Sequence, residues 1–218
     1  MVKYITIDKE AICFLAKRRP TKMNPAHEPL PLEFYNKPTI ELARSLLGCL
    51  LVKETEEGPA SGYIVETEAY KGPGDRAAHS YGNRRTKRTE IMYREAGVVY
   101  TYTMHTHTLI NVVSGGADEP EAVLIRALEP HEGLALMEKR RSGKKPRDWT
   151  NGPGKLTKAL SITMNDYGRP LTGPPLYIAK GYEPQDILSG PRIGIDNSGE
   201  AREYPWRFWI KGNRYVSR

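Results

Sequence analysis

In the string Val65-Glu-Thr-Glu-Ala-Tyr70, two carboxylates and a phenol sit at alternate positions. Side chains two apart on a strand share a face, so Glu66, Glu68 and Tyr70 would stand together. Val99-Tyr-Thr-Tyr-Thr-Met104 does the same for Tyr100, Tyr102 and Met104, and Ala122-Val-Leu-Ile-Arg-Ala-Leu128 puts Arg126 on one face with Leu124 and Leu128. If these strands are neighbours, one wall carries carboxylates, phenols and a guanidinium. That set suits a planar, hydrogen-bonding aromatic ligand. A plainer account uses the same residues: half-exposed strands carry Glu and Tyr routinely, and Arg126 pairs with Glu68 or Glu129.

Two other strings offer chemistry. His105-Thr-His107 has the spacing by which a strand presents two imidazoles to one metal, with His79, Asp75 and Asp118 as further ligands, although no H-E-x-x-H string accompanies it. A metal-dependent nucleic-acid hydrolase is therefore one alternative. Asn151-Gly-Pro-Gly-Lys-Leu156 opens a helix, where free backbone N–H groups on Gly152 and Gly154 and the cation of Lys155 would hold an anion such as a DNA phosphate. Ordinary capping explains it too. No phosphate-binding or dinucleotide glycine string occurs, so no cofactor is expected, and no metal.

Charge points the same way. The chain has 218 residues, with 33 Lys and Arg against 26 Asp and Glu, a net charge of +7 and a pI near 9.3. The excess is concentrated: residues 84–94, which include Arg85 and Arg88, hold five basic side chains and one acid, and residues 139–158 hold eight and one. The remainder is net acidic. A net-acidic body with two basic blocks is the pattern of a polyanion-binding face, so a non-catalytic nucleic-acid-binding module is a further alternative. No apolar run approaches the roughly 18 residues of a spanning helix. Cys13 and Cys49 are too few for a disulfide framework, and a reducing cytoplasm is the default compartment.

The elements that must position these residues are mixed in order. A helix is predicted over Thr39–Leu47 with Gly48 as its stop, a second over Glu132–Arg141, and a third opening at Pro153 with Leu156 and Leu160 in period. Strands are predicted at Cys49–Lys53, Gly62–Tyr70, Val98–Met104, Ala122–Leu128, Leu176–Lys180, Arg192–Ile195 and Arg207–Lys211. Without regular βα alternation, the order gives an α+β fold: a single mixed domain with a largely antiparallel curved sheet and flanking helices. Residues 1–27 read as a flexible N-terminal extension, and residues 28–218 as the folded domain.

Ile64-Val-Glu-Thr-Glu-Ala-Tyr70, Gly72-Pro, Asp75-Arg-Ala-Ala-His-Ser80, Val123-Leu-Ile-Arg-Ala-Leu-Glu-Pro130, the string from Asn151 and Pro205-Trp-Arg-Phe208 occur in an order that resembles the alkyladenine DNA glycosylase family, the 3-methyladenine glycosylases of the mammalian and Bacillus type. The resemblance runs from about Leu30 to the C-terminus. It implies an enzyme that flips a damaged purine out of double-stranded DNA and hydrolyses its N-glycosidic bond, as a monomer, without a cofactor or a lyase step. By position it makes Glu68 the catalytic carboxylate, with Arg126 holding the catalytic centre or a water. It makes Tyr70, His79 and Tyr102 the walls around the flipped base, and Asn111 the steric bar to guanine. Family members commonly carry a tyrosine followed by Gly-Met that wedges into the duplex. Here Tyr102-Thr-Met-His-Thr-His107 lacks it, which leaves His105, or Met104, to fill the gap.

Overall fold

The computed structural model describes residues 27–217. The expectation for residues 1–26 falls outside them. His27, read as the end of the extension, sets its ring edge-on to His131 at 5.9 Å and its Nε2 3.3 Å from Glu132.

Pro38 fixes the entry to helix α1 (Thr39–Ser45), which buries Thr39, Leu42 and Ala43. The chain then turns at Gly48, whose φ of +82° and approach to the Tyr182 carbonyl, 2.1 Å from where a β-carbon would stand, admit only glycine. Eight strands follow: β1 (Leu50–Thr55), β2 (Gly58–Tyr70), β3 (Val99–Met104), β4 (His107–Ser114), β5 (Glu121–Glu132), β6 (Leu176–Ala179), β7 (Ile187–Gly190) and β8 (Arg207–Ile210). Helix α2 (Leu134–Arg140) follows β5, and α3 (Pro153–Leu160) follows α2. Every pairing is antiparallel, in the order β3-β4-β5-β2-β1-β6, with β8 alongside β2 at Glu66–Glu68 and β7 outside it. The fold is thus α+β with a curled antiparallel sheet, as the order of elements predicts.

Four elements differ from the expectation. β4 and β7 are strands that the sequence reading does not mark. Arg192–Ile195 is loop, held by side-chain contacts and not by a ladder. β5 runs on to Glu132, so α2 starts only after Gly133, which takes the left-handed φ of +73°.

The two faces of the sheet do different work. Ile64, Ala69, Ile110, Val112, Val123, Ile125 and Leu128 enter the main core with Leu42, Leu46, Leu156 and Leu160 of the helices. Along β2 this set changes parity, because Ala60 and Ile64 are even-numbered and Ala69 is odd. The cause is a pair of irregularities: Ile64 pairs with Leu128, Glu66 with Ala127 and Thr67 with Ile125, so the ladder skips Val65 on β2 and Arg126 on β5. An extra residue re-aims the side chains beside it. Past the bulge, Thr67 donates to the Ala43 carbonyl on the helix side at 2.8 Å, while Glu66, Glu68 and Tyr70 are turned to the opposite face. The same device corrects one expectation. Arg126 shares its face with Leu124 but not with Leu128, which lies in the core.

Candidate active site

Glu68 is fully buried, and its carboxylate is held by three elements. Oε2 accepts from the Tyr70 hydroxyl at 2.8 Å on its own strand and lies 3.2 Å from the Arg126 guanidinium on β5. Oε1 accepts from the backbone N–H of Ile193 at 2.7 Å. A carboxylate offers about four acceptor positions, so one remains open on Oε1. Glu66, also fully buried, is placed differently: it takes Arg126 Nε at 3.2 Å, Arg207 at 3.2 Å, and the N–H and hydroxyl of Ser217 at 2.6 and 2.9 Å. Glu66 therefore ties the C-terminal segment to the sheet and steadies Arg126. Arg126 bridges the two carboxylates. Burial works against its charge, and the two acids more than offset this, so its pKa rises.

Above this pair lies a cavity of about 400 Å³, within the range of small-molecule sites. Tyr70, His79, Tyr100, Tyr102, Met104, Asn111, Leu124 and Arg126 line it, and Ile193–Ser198 closes one side. Strand alternation delivers Tyr100, Tyr102 and Met104 of β3 to this wall as expected, and β4 adds Leu109 and Asn111. The His79 ring stands edge-on to Tyr102 at 4.6 Å, and its Nδ1 is 2.7 Å from the Tyr100 hydroxyl. Burial, then the charges of Arg88 and Arg84, push the His79 pKa down to about 4, so the ring is neutral at neutral pH. Burial, then the charge of Glu68, raises the Tyr70 and Tyr102 phenols, Tyr102 to about 12. Both are therefore hydrogen-bond donors. The Asn111 amide donates to the Tyr100 carbonyl at 3.1 Å, which fixes its orientation at the wall.

One part of the site has no counterpart in the sequence reading. Arg192 is buried and forms a two-pronged pair with Asp75, at 2.5 and 2.8 Å, and donates to the carbonyls of Ala69 and Ala201. Its guanidinium also lies 4.7 Å from the Tyr70 ring centre and 5.0 Å from that of Trp206. The signal was present as Gly190-Pro-Arg-Ile-Gly-Ile-Asp196, glycine-punctuated around a lone Arg, but its apolar residues read as a strand.

The rim is built from a hairpin and a helix start. β3 and β4 join through His105 and Thr106, with φ of +46° and +70°, and both flanking residues, Met104 and His107, are paired. Two left-handed residues in a two-residue loop make the type I′ turn that suits strand twist. His105 is at the exposed tip, while Met104 lines the cavity. The imidazole of His107 packs on Gly154 of α3, and Pro153 reaches the cavity wall. Among the described residues no group of three or more His, Cys, Asp or Glu is placed to hold a metal, so His105 and His107 have no third ligand beside them there.

The basic blocks divide into paired and unpaired groups. Arg85 makes a two-pronged pair with Glu90 at 2.7 and 2.9 Å and lies over the Tyr93 ring, and Lys155 donates to Asn151 Oδ1 at 2.8 Å. Lys139 and Arg140 pair with Glu57. Arg88, Lys144, Lys145, Arg147 and Lys158 are exposed, and none forms an ion pair among the described residues.

A buried carboxylate beneath a cavity lined by aromatic rings, flanked by basic surface, suits a hydrolase acting on a nucleic-acid base. Comparison with known proteins agrees. The sequence profile described as methylpurine-DNA glycosylase matches residues 33–214, and the chain belongs to that family of DNA-repair glycosylases. It is 75% identical over 190 residues to a Bacillus subtilis (strain 168) protein named provisionally as a 3-methyladenine DNA glycosylase, covering 87% of this chain and 97% of the relative. Proteins of the same provisional name from Bacillus velezensis and Oceanobacillus iheyensis are 71% and 58% identical, each over 88% of this chain and 97% and 96% of their own lengths.

Proposed function

We propose that this chain excises 3-methyladenine and related purines (7-methylguanine, hypoxanthine and ethenoadenine) from double-stranded DNA by flipping the damaged nucleotide into the cavity and leaving an abasic site. The observation that carries this reading is Glu68, fixed by three donors beside a ring-lined cavity and left with one open acceptor position. A water there, steadied by Arg126, gives up a proton to Glu68 as its oxygen bonds to C1′ of the sugar. The N-glycosidic electron pair leaves with the base. The carboxylate and the electron-poor sugar attract each other as the bond breaks. An N-alkylated purine is already cationic and needs little acid help; neutral hypoxanthine is the harder leaving group.

Tyr70, His79 and Tyr102 supply faces and edges for the base, and stacking of this kind contributes about 1–3 kcal/mol per base with little sequence preference. Asn111, held by the Tyr100 carbonyl, stands in the way of the guanine 2-amino group. His105 at the hairpin tip, with Met104 behind it, fills the space that the base vacates. Gly152, Gly154 and Lys155 at the start of α3, with Arg85 and Arg88 on the other basic block, meet the phosphates. The protein acts as a monomer without an obligate protein partner, in the bacterial cytoplasm, held at the nucleoid by its DNA affinity. No helix of the described residues is long and apolar enough to cross a membrane.

The deciding experiment is single-turnover base release from a duplex with one hypoxanthine, in chelator, with alkylated DNA as a parallel substrate. Wild type should release base, and Glu68→Gln should be slower by roughly 10²–10⁴-fold, the usual worth of a general base. Undiminished release by Glu68→Gln would overturn the assignment.

A further inference from the structure

We propose that Arg192, locked by Asp75, is the positioning residue that holds the base platform and the catalytic carboxylate in a fixed relation; this rests on Glu68 being the general base, as proposed above. Arg192 is buried together with its partner, and the pair is two-pronged, so the guanidinium has one allowed plane. Two rings lie against the guanidinium. Its centre is 4.7 Å from the Tyr70 ring centre and 5.0 Å from that of Trp206, and the Tyr204 ring is tilted by 40° to Trp206 with centres 4.5 Å apart. Contacts thus link Tyr70, Arg192, Trp206 and Tyr204 in turn, and the first of these rings is the one that lines the cavity.

The second link is through the backbone. The residue next to Arg192 is Ile193, whose N–H donates to Glu68 Oε1, while Tyr70 donates to Oε2 of the same carboxylate. Fixing Arg192 therefore fixes two of the three donors that hold Glu68. Asp75 is tied in turn by the N–H groups of Lys71 and Ala77, so the lock is anchored in the turn that leads on to His79. Lysine at 192 would keep the charge opposite Asp75 but lose the planar fork and the stacking, so it is not a neutral exchange. Arg192 touches no reacting atom. Its effect is confined to geometry, and displacements of about 1 Å in such settings cost up to ~10²-fold in rate.

The test compares Arg192→Lys, Trp206→Leu, Glu68→Gln and wild type of the full chain on the hypoxanthine duplex. It separates the single-turnover rate at saturating enzyme from the enzyme concentration giving half the maximal rate, with thermal melting alongside. Arg192→Lys should lower the saturated rate by about 10–100-fold with the half-saturating concentration changed by less than about threefold, a loss in the reacting step and not in binding. Trp206→Leu, which leaves the Asp75 pair in place, should show the same split at roughly three- to tenfold, and decides the matter if Arg192→Lys does not fold. A folded Arg192→Lys or Trp206→Leu with the wild-type saturated rate would overturn the proposal. So would a parallel loss of rate and affinity that follows the melting temperature, since that is a purely structural role. Glu68→Gln separates the two ideas: if it remains active, the general-base reading fails; if it is dead while Arg192→Lys is unimpaired, the positioning role alone fails.

Discussion

Gly154 of α3 meets His107 of β4 so closely that a β-carbon on the glycine would stand 2.7 Å from His107 Cβ and 2.9 Å from Cγ. The contact joins the helix that opens the basic rim to the hairpin that ends at His105. Both clashing atoms lie near the backbone and cannot swing aside. In an exposed helix, alanine for glycine stabilises by up to about 1 kcal/mol. Here overpacking reverses the sign, and Gly154→Ala should destabilise by roughly 1–3 kcal/mol. Urea unfolding of the two proteins checks this; an unchanged or raised midpoint would mean that the hairpin yields without cost.

His79 makes the stability of the protein depend on pH in a defined window. Its folded pKa is pushed down to about 4, by burial first and then by Arg88 and Arg84. An imidazole in the unfolded chain takes up its proton near ~6.5. Between these values the unfolded chain binds more protons, so stability falls as pH drops from about 6.5 to about 4 and this contribution levels off below. His79→Gln should lose less stability between pH 7 and pH 5 than wild type does. Equal losses in the two proteins would assign the linkage to another group.

Glu66 and Glu68 sit two residues apart, are equally buried, and should respond to the same substitution in opposite ways. Glu66→Gln removes the charge shared by Arg126 and Arg207 and weakens the hold on Ser217. Breaking a buried pair from one side typically costs about 3–5 kcal/mol, and Glu68 remains as a partner, so a loss near 3 is expected. The folded fraction should still release base at a measurable rate. A stable but inactive Glu66→Gln would give the first carboxylate a chemical role.

His105 projects from a turn held in its shape by the paired residues on either side, so its removal leaves the fold intact. With the imidazole gone, the flipped nucleotide should return to the stack more readily, and base release should slow by about tenfold, since flipping already costs a few kcal/mol. Stopped-flow fluorescence with 2-aminopurine beside the lesion, run together with base release, reads both steps. Flipping and cutting at wild-type rates would remove His105 from the wedge position.

The parts of the site that follow from strand alternation were legible from residue order: the Glu68–Tyr70 face, the Tyr100–Tyr102 face and Arg126 on the third strand. Physical reasons account for what was not. β4 is buried from Leu109 to Ser114 on both faces and shows no polar alternation, and its turn, His105-Thr106, lacks the Asn or Gly that usually marks such a hairpin. Arg192–Ile195 has strand-like residues, but its hydrogen bonds go to a carboxylate and a bulged strand far away in sequence, and to a loop carbonyl at Ala201. The parity change at Val65 is invisible to alternation, because a bulge is a property of two strands together.

Because Val65 and Arg126 are skipped on opposite strands, β2 and β5 leave the irregular stretch in the register in which they entered it. The stretch is thus a phase slip with no net displacement between Ile64–Leu128 and Thr67–Ile125. Losing Val65 alone would remove an unpaired residue and leave the pairs on either side of it in place, with Thr67 and Ala69 still inward and Glu68 and Tyr70 still on the opposite face. Losing Val65 and Arg126 together would make the ladder regular with the same faces, but would take away the guanidinium that bridges Glu66 and Glu68. The irregularity thus adds one residue to each strand without moving the pairs around it, and on β5 that added residue is the arginine that joins the two buried carboxylates.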